Sequence, residues 1–297
     1  MRVLPRLERG RSGLRAPTPS RSAGHCAAGA SRATPPDARI GPTVLAAALG
    51  AVALVLLAAR PLPAAPLEEE LDAGAAAYAA GGLDSARAAF QRVIAAHPGN
   101  FTALRWLSRT ESDLGEDAEG EEQRRLFADA VEHARAAVLA APDSARGHLE
   151  LAVALGRQAL REGPRTRLAL SREIKAEADR AIAQDPSLGR AYHVRAMWNR
   201  KIAGLSFFER TAARAVLGGV PRGASMENAV ADFQKAIELE PNYLNHHLEL
   251  ARTWLELKRD ADARHELDKV LSLPPTSSPR DARYQVEARA LLKKMKS

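Results

Sequence analysis

The sequence predicts an all-α fold, a right-handed α-solenoid of about five helical hairpins plus a C-terminal capping helix. A sequence motif recurs five times, in which small and apolar residues follow the helical period of 3.6 residues. Each copy ends in a proline, which stops a helix. Only 4% of the residues are aromatic, whereas alanine is abundant, as expected where paired helices cross closely. The 46% of hydrophobic residues and the single cysteine exclude collagen-like, wholly disordered and disulfide-stapled classes.

Residues 1–39 form the first segment, which is rich in arginine, proline and serine and has no apolar periodicity. Such a composition buries too little apolar surface to offset the entropy of ordering, so we predict a disordered tail. Residues 1–65 hold nine arginines and two acidic residues, which leaves 34 basic and 34 acidic residues in 66–297. The net charge of +7 therefore belongs to the N-terminal part, and nucleic-acid binding is disfavoured.

Residues 40–60 are predicted to be a transmembrane anchor or signal segment, and residues 61–66 a linker. Ile40 to Ala59 is an uncharged run of twenty residues. As a helix it would span ~30 Å, the thickness of a bilayer core. Eight arginines precede it, so the positive-inside rule places the following domain outside the cytosol, in the periplasm. Secretion after signal cleavage, or a cytoplasmic and cytoskeletal location, are the alternatives.

Residues 67–297 are predicted to form one helical-repeat domain. The prolines that end the five copies are Pro98, Pro142, Pro186, Pro241 and Pro275, with spacings of 44, 44, 55 and 34 residues. A spacing of 34 is the period of the tetratricopeptide repeat, and the motif resembles the second helix of that family. The longer spacings predict insertions inside three hairpins. These are Gly115–Glu122, Arg161–Arg167 and Gly204–Ser225.

Packing between neighbouring hairpins is expected to stabilise the repeat. Phe90, Phe233 and Leu267 occupy the same position of their copies and would fill the space between hairpins, each burial contributing ~1.5–3 kcal/mol. No hairpin buries a complete core alone, so the stack needs a polar end cap. The segment from Ser278 to Lys296, with lysines in its last turn, is predicted to be that capping helix.

A more specific resemblance covers roughly residues 140–297. Two stretches lie outside the common repeat, Ile202-Ala-Gly-Leu-Ser-Phe-Phe-Glu-Arg210 and Gly218-Gly-Val-Pro-Arg-Gly-Ala-Ser225. They resemble the regulator of microtubule dynamics family. The resemblance implies a protein-binding helical-repeat domain that associates with microtubules and has no enzymatic activity.

Common enzyme signatures are absent from the sequence, which has no G-x-x-x-x-G-K-[ST], H-E-x-x-H or G-x-S-x-G motif. We therefore expect a non-enzymatic scaffold without catalytic residues, metal or cofactor. The alternative is a metal-binding or enzymatic protein that uses His193, His246 or His247. Adjacent residues of a helix point about 100° apart, so His246 and His247 do not converge, and His247 is expected to pack in the core.

The predicted partner-binding surface is the concave side of the solenoid, which the first helices of the hairpins line. Arginines there can bind carboxylates through paired hydrogen bonds, so the sequence predicts a scaffold or adaptor for a protein or peptide partner with acidic residues. The alternative is that nearby glutamates neutralise these arginines. No small-molecule substrate is expected. The candidate residues are Arg105, Arg109, Arg146, Arg157, Arg190, His193, Arg200, Lys201, Phe207, Phe208, Asn245 and Arg252.

The third insertion is predicted to contain a short amphipathic helix over residues 205–217. This helix either covers the groove of hairpin four or offers Phe207 or Phe208 to an apolar side chain of a partner. Its expected inward face consists of Leu205, Phe208, Ala212 and Val216, and its outward face of Glu209, Arg210 and Arg214.

The first insertion concentrates negative charge. Residues 66–132 hold 14 acidic and 6 basic residues, whereas residues 133–297 hold 20 and 28. Opposite poles of this kind could steer partners, and a solvated loop is the plainer interpretation. The acidic residues concerned are Glu111, Asp113, Glu116, Asp117, Glu119, Glu121 and Glu122.

Overall fold

The computed structural model describes residues 66–217, 219–276 and 278–295. In these ranges all regular structure is helical, with twelve helices and no strand. The predictions for the tail 1–39, for the segment 40–60 and for linker residues 61–65 lie outside the described residues. Within the part described, no helix is both long enough and apolar enough to cross a bilayer.

Ten of the helices pair into five consecutive hairpins, which confirms the predicted solenoid. Hairpin 1 consists of α1 (Leu67–Ala79) and α2 (Leu83–Ala96), and hairpin 2 of α3 (Phe101–Asp117) and α4 (Gly120–Ala140). Hairpin 3 consists of α5 (Ala145–Ala159) and α6 (Pro164–Gln184). Hairpin 4 consists of α7 (Gly189–Ala203) and α9 (Met226–Leu239), with α8 (Phe207–Leu217) between them. Hairpin 5 consists of α10 (Leu244–Glu256) and α11 (Asp260–Ser272), and α12 (Asp281–Lys294) follows.

The first two insertions lengthen helices. Helices α3 and α4, of 17 and 21 residues, absorb most of Gly115–Glu122, and the 21 residues of α6 begin with Pro164 inside the second insertion. Proline suits the first turn of a helix, where its missing N–H is not needed. The acidic residues of the first insertion therefore lie mainly on helix ends, and the interpretation as a solvated loop is corrected.

Small residues set the distance between paired helices, as predicted. Phe90 of α2 is fully buried, and a Cβ atom on Gly74 of α1 would lie 2.6 Å from its ring. Gly115 of α3 has the same relation to Phe127 of α4, at 2.4 Å. A side chain at either glycine would push the aromatic ring out of the core, so these glycines allow the helices to approach.

Helix α8 begins with a complete capping box. The backbone N–H and the hydroxyl of Ser206 donate to Glu209 Oε2 at 2.8 Å, and Glu209 N–H donates back to Ser206 Oγ at 3.3 Å. Arg210 donates to the carbonyl oxygens of Ile202, Ala203 and Leu205 and so caps the end of α7. The expected orientation of α8 was wrong in two respects, because Arg210 faces the body of the domain and Phe208 is 82% exposed.

Helix α12 packs against α10 and α11, as expected of a cap. Its buried Ala288 joins Val270 and Leu267 in one apolar cluster, and Tyr284 packs against the same cluster. Lys293 and Lys294 occupy the last turn, where positive charge is favourable.

Candidate partner-binding site

The first helices of neighbouring hairpins contact one another in order, from α1 through α3, α5 and α7 to α10. We call the side they form the inner face. Arg109 of α3 lies close enough to Tyr243, just before α10, for the two groups to influence each other's pKa. Hairpin 2 thus lies near hairpin 5, which means that the inner face is strongly curved.

Glu150 of α5 neutralises two candidate arginines of α3. Its Oε1 lies 3.3 Å from Arg109 Nη1 and 3.7 Å from Arg105 Nη1. Burial lowers the pKa of Arg109, but Glu150 and the hydroxyls of Tyr78 and Tyr243 raise it well above its ordinary value. Burial outweighs Glu150 at Arg105, whose pKa is lowered. Both cations are thus held within the fold, and Arg105 is only 7% exposed.

A hydrogen-bond chain continues from this cluster. Arg109 Nε donates to Tyr78 Oη at 3.0 Å, and the Tyr78 hydroxyl donates to Asp113 Oδ2 at 2.5 Å. Burial is the main cause that raises the pKa of Tyr78, so the phenol stays a donor at neutral pH.

Three further candidate arginines also have carboxylate partners. Arg157 pairs with Glu116, and Arg200, which is buried, pairs with Glu249. Arg252 Nη2 lies 2.6 Å from Glu287 Oε2 of α12. The structure therefore shows the expected alternative, neutralisation by glutamates, at five of the candidate arginines. Their role in binding a partner stays a prediction.

The other basic candidates differ in this respect. Arg146 and Lys201 are exposed and Arg190 is half-buried, and none of the three has an ion pair with a described residue. Arg146 and Arg190 occupy equivalent positions, four residues after the prolines at 142 and 186, and Asn245 has this position in hairpin 5. This row is the part of the predicted site that remains available to a partner.

His193 and His246 form a buried pair between hairpins 4 and 5, with their Nδ1 atoms 2.9 Å apart. Burial, then repulsion from a protonated His246 and from Arg200 and Arg157, lowers the pKa of His193 well below its ordinary value. Burial also lowers the pKa of His246, and Glu240 only partly offsets this. Both rings therefore stay neutral at pH 7, and a single proton occupies the hydrogen bond between the two Nδ1 atoms.

His247 points away from this pair, as the helical geometry predicted. Its Nδ1 lies 2.6 Å from Glu266 and its Nε2 lies 2.9 Å from the carbonyl oxygen of Pro241. His148 repeats the arrangement in hairpin 3, with Glu177 and Pro142. In the described ranges no group of three His, Cys, Asp or Glu residues is placed to hold a metal ion.

Sequence reasoning missed the acidic part of the inner face. Asp113, Glu116 and Asp117 lie on the last turns of α3, where they surround Arg280 from the segment before α12. The spacing i, i+3 and i+4 places three carboxylates on one side of a helix. That signal was present in the sequence, but it has meaning only once the insertion is known to be helical.

Phe207 and Phe208 of α8 are 77% and 82% exposed and contact each other edge to face, with ring centroids 6.0 Å apart. Their predicted role in contacting a partner's apolar side chain stays a prediction.

A family model matches most of the chain. The model described as regulator of microtubule dynamics protein 1-3 matches residues 73–296. Regulator of microtubule dynamics protein 3 of Rattus norvegicus is 29% identical over 187 residues, which are 62% of this chain and 39% of that protein. Protein 1 of the same name from Caenorhabditis elegans is 34% identical over 121 residues, which are 41% of this chain and 53% of that protein. The matches thus span about half of these relatives or less.

A solved structure is similar in fold. The crystal structure of a thermophilic tetratricopeptide repeat protein from Thermus thermophilus aligns with a TM-score of 0.57 and 22% sequence identity. The alignment covers 76% of this chain and 99% of that chain. It confirms a tetratricopeptide-type architecture and, at this identity, concerns the fold alone.

Proposed function

Because the chain belongs to the regulator of microtubule dynamics family, we propose that it is a non-enzymatic helical scaffold that binds a protein or peptide on its inner face. The observation that carries this proposal is the contrast among the arginines of that face. Five are neutralised within the fold, whereas Arg146 and Arg190 have no ion pair with a described residue. Unpaired arginines at equivalent repeat positions suit a partner with carboxylates at matching intervals.

The test is affinity capture with the full chain, followed by mass spectrometry of the captured proteins. The variant R146E/R190E reverses the charge of the proposed row. The control R125E/R289E makes the same charge change on α4 and α12, at exposed arginines without an ion pair to a described residue. We expect a set of partners that the wild type and the control share and the first variant loses. If all three capture the same proteins, the arginine row is not the binding face.

Regulation of microtubules is the second candidate function, and the names of the curated relatives favour it. Co-sedimentation of the purified chain with polymerised tubulin tests it directly. Saturable binding would support this candidate, and recovery of the chain only in the supernatant would count against it.

The location of the domain separates the two candidates. We propose that residues 40–59 tether or export the repeat domain, on the basis of their uncharged run and the arginines before it. An extracytoplasmic domain would meet no tubulin. Protease treatment of intact cells with a permeabilised outer membrane should digest residues 66–297, and protection of these residues would contradict export.

A further inference from the structure

The segment between α11 and α12 reaches across the inner face to α3. Arg280 is 7% exposed, and its Nη1 donates to Asp117 Oδ1 at 2.7 Å, a contact between residues 163 positions apart. Its other terminal nitrogen donates to the backbone carbonyl of Asp113. Glu116 Oε2 lies 3.8 Å from its Nε. We call Asp113, Glu116 and Asp117 the acidic notch.

The chemistry of the acidic notch matches a guanidinium group. It presents three carboxylates and the backbone carbonyl oxygen of Asp113, whereas a guanidinium offers five N–H donors in one plane. Two of these carboxylates have a second partner, since Glu116 also pairs with Arg157 and Asp113 also accepts from Tyr78. The notch also lies at the C-terminal end of α3, where the helix dipole attracts positive charge. A second arginine, Arg283, approaches the same carboxylates at 3.5 and 3.7 Å and stays about half exposed.

Arg280 does not satisfy the notch completely. Its Nε is buried and has no hydrogen-bond acceptor among the described residues, although Asp113 Oδ1 is 3.7 Å away. The neighbouring Asp281 also has one buried carboxylate oxygen without a donor among those residues. Buried polar atoms without partners oppose the closed arrangement, so an arginine that sits better could replace Arg280.

We propose that the acidic notch is a subsite for an arginine side chain of the peptide partner, and that Arg280 occupies it in cis and closes the inner face until a partner displaces it. The inference rests on the proposed function and deepens it. The partner would then carry an arginine at the end that contacts α3. It would carry acidic residues where it contacts Arg146 and Arg190.

Because Arg280 belongs to the same chain as the acidic notch, it competes strongly with a free peptide for that site. A short tether gives an effective concentration of the order of millimolar, so a peptide that binds the empty notch with micromolar affinity would bind the closed protein up to about a thousandfold more weakly. Removal of the Arg280 side chain should therefore create a binding site without adding any new contact.

The experiment measures binding of a labelled peptide that copies Ser278 to Glu287, by fluorescence anisotropy with the full chain. We expect R280A to bind this peptide at least about tenfold more tightly than the wild type does. The same peptide with alanine in place of the residue that copies Arg280 should not bind R280A. The variant R280A/D117N should lose most of the gain, because it removes the closest carboxylate of the notch. R289A, which changes an exposed arginine of α12, should behave like the wild type.

Circular dichroism establishes that each variant is folded, and R280K provides a second route if R280A is not. Lysine keeps the charge but lacks the planar fork, so R280K should give a smaller gain in peptide affinity than R280A. Equal peptide affinity of the wild type and of the folded variants would overturn the inference and make Arg280 a structural ion pair only. Binding that does not depend on the peptide's arginine would overturn it too. The proposed function is judged separately, by the partners that R146E/R190E loses.

Discussion

Charged side chains of the inner face stabilise one another away from water. Glu150 is the clearest case, since it is buried and serves both Arg105 and Arg109. Taking such charges out of water is costly, so the arrangement is favourable only while every member has its partner. Loss of this carboxylate would leave the buried guanidinium of Arg105 without an ion pair to a described residue, and Arg109 with only its hydrogen bond to Tyr78.

We expect Glu150→Gln to lower the free energy of unfolding by about 3–5 kcal/mol, the usual cost of breaking a buried ion pair. Urea denaturation measures it. Glu173→Gln is the matched control, because Glu173 pairs with Arg135 on the surface, where such pairs contribute about 0–1 kcal/mol. Similar effects of the two substitutions would mean that solvent reaches Glu150 freely.

The histidine pair makes stability depend on pH. The pKa values of His193 and His246 are lowered in the folded state, so below the unfolded-state pKa of about 6.5 the unfolded chain binds more protons. Stability is therefore complete above that pH and falls as the pH decreases. The groups that face the pair are Arg157, Arg200, Glu240, Tyr243 and His247.

Between pH 7.5 and 5.5 we expect the free energy of unfolding of the wild type to fall, by up to about 1.4 kcal/mol per pH unit for each neutral histidine. H193N/H246N keeps polar groups near the Nδ1 positions but removes both titrations, so its pH dependence should be flatter. H265N, at an exposed histidine, should follow the wild type. Parallel curves for all three proteins would contradict the assignment.

Sequence reasoning assigned the arginines to the first helices of the hairpins but could not pair them. The partners of Arg109 and Arg200 are 41 and 49 positions away, on the next first helices. Which carboxylate meets which arginine depends on the rotation of each helix about its axis. The repeat pattern predicts which apolar residues face the core, but it does not define that rotation closely enough to pair the charged residues.

Among the helices, α8 shows how a correct pattern can give the wrong orientation. Its amphipathic period predicted a helix, and the helix exists. The apolar period placed Phe208 inward and Arg210 outward, but the last carbonyl groups of α7 need donors. Arg210 supplies two hydrogen bonds to that end, at Ile202 and Ala203, and a third to Leu205 in the link before α8. This requirement turns α8 so that its two phenylalanines face solvent.

Arg210→Ala should therefore release α8 from the domain while leaving the five hairpins intact. We expect amide hydrogen exchange in residues 207–217 to speed up at least about tenfold, since the loss of hydrogen bonds to a charged group costs about 1.5–3 kcal/mol each. Arg214→Ala, at an exposed arginine of the same helix, is the control. Unchanged exchange in R210A would show that other contacts hold α8.

Across the repeat domain, the order of hairpins was predictable and the closure was not. Prolines mark the ends of helices and small residues mark the positions where helices cross, and both recur in each copy of the repeat. The contact of Arg280 with α3 depends instead on how far the inner face curves over four hairpins. Small rotations at each junction add up, and no single copy of the repeat encodes their sum.

The two ends of the described solenoid should consequently respond differently to the same kind of damage. Among the described residues, hairpin 1 contacts only hairpin 2, whereas hairpin 5 lies between hairpin 4 and α12. Phe90 and Leu267 are both fully buried at equivalent positions, so Phe90→Ala and Leu267→Ala each remove a core side chain at a cost of about 2–5 kcal/mol.

Hydrogen exchange should show loss of protection in F90A confined to α1 and α2, because stability in a solenoid is a sum of nearest-neighbour terms. In L267A the loss should include α12 and, through Arg280, the end of α3 in hairpin 2. R280A provides the control, since it should deprotect the end of α3 without affecting the core of hairpin 5. If F90A instead deprotects all hairpins equally, the domain unfolds as one unit, and closure by Arg280 adds nothing to the coupling between its ends.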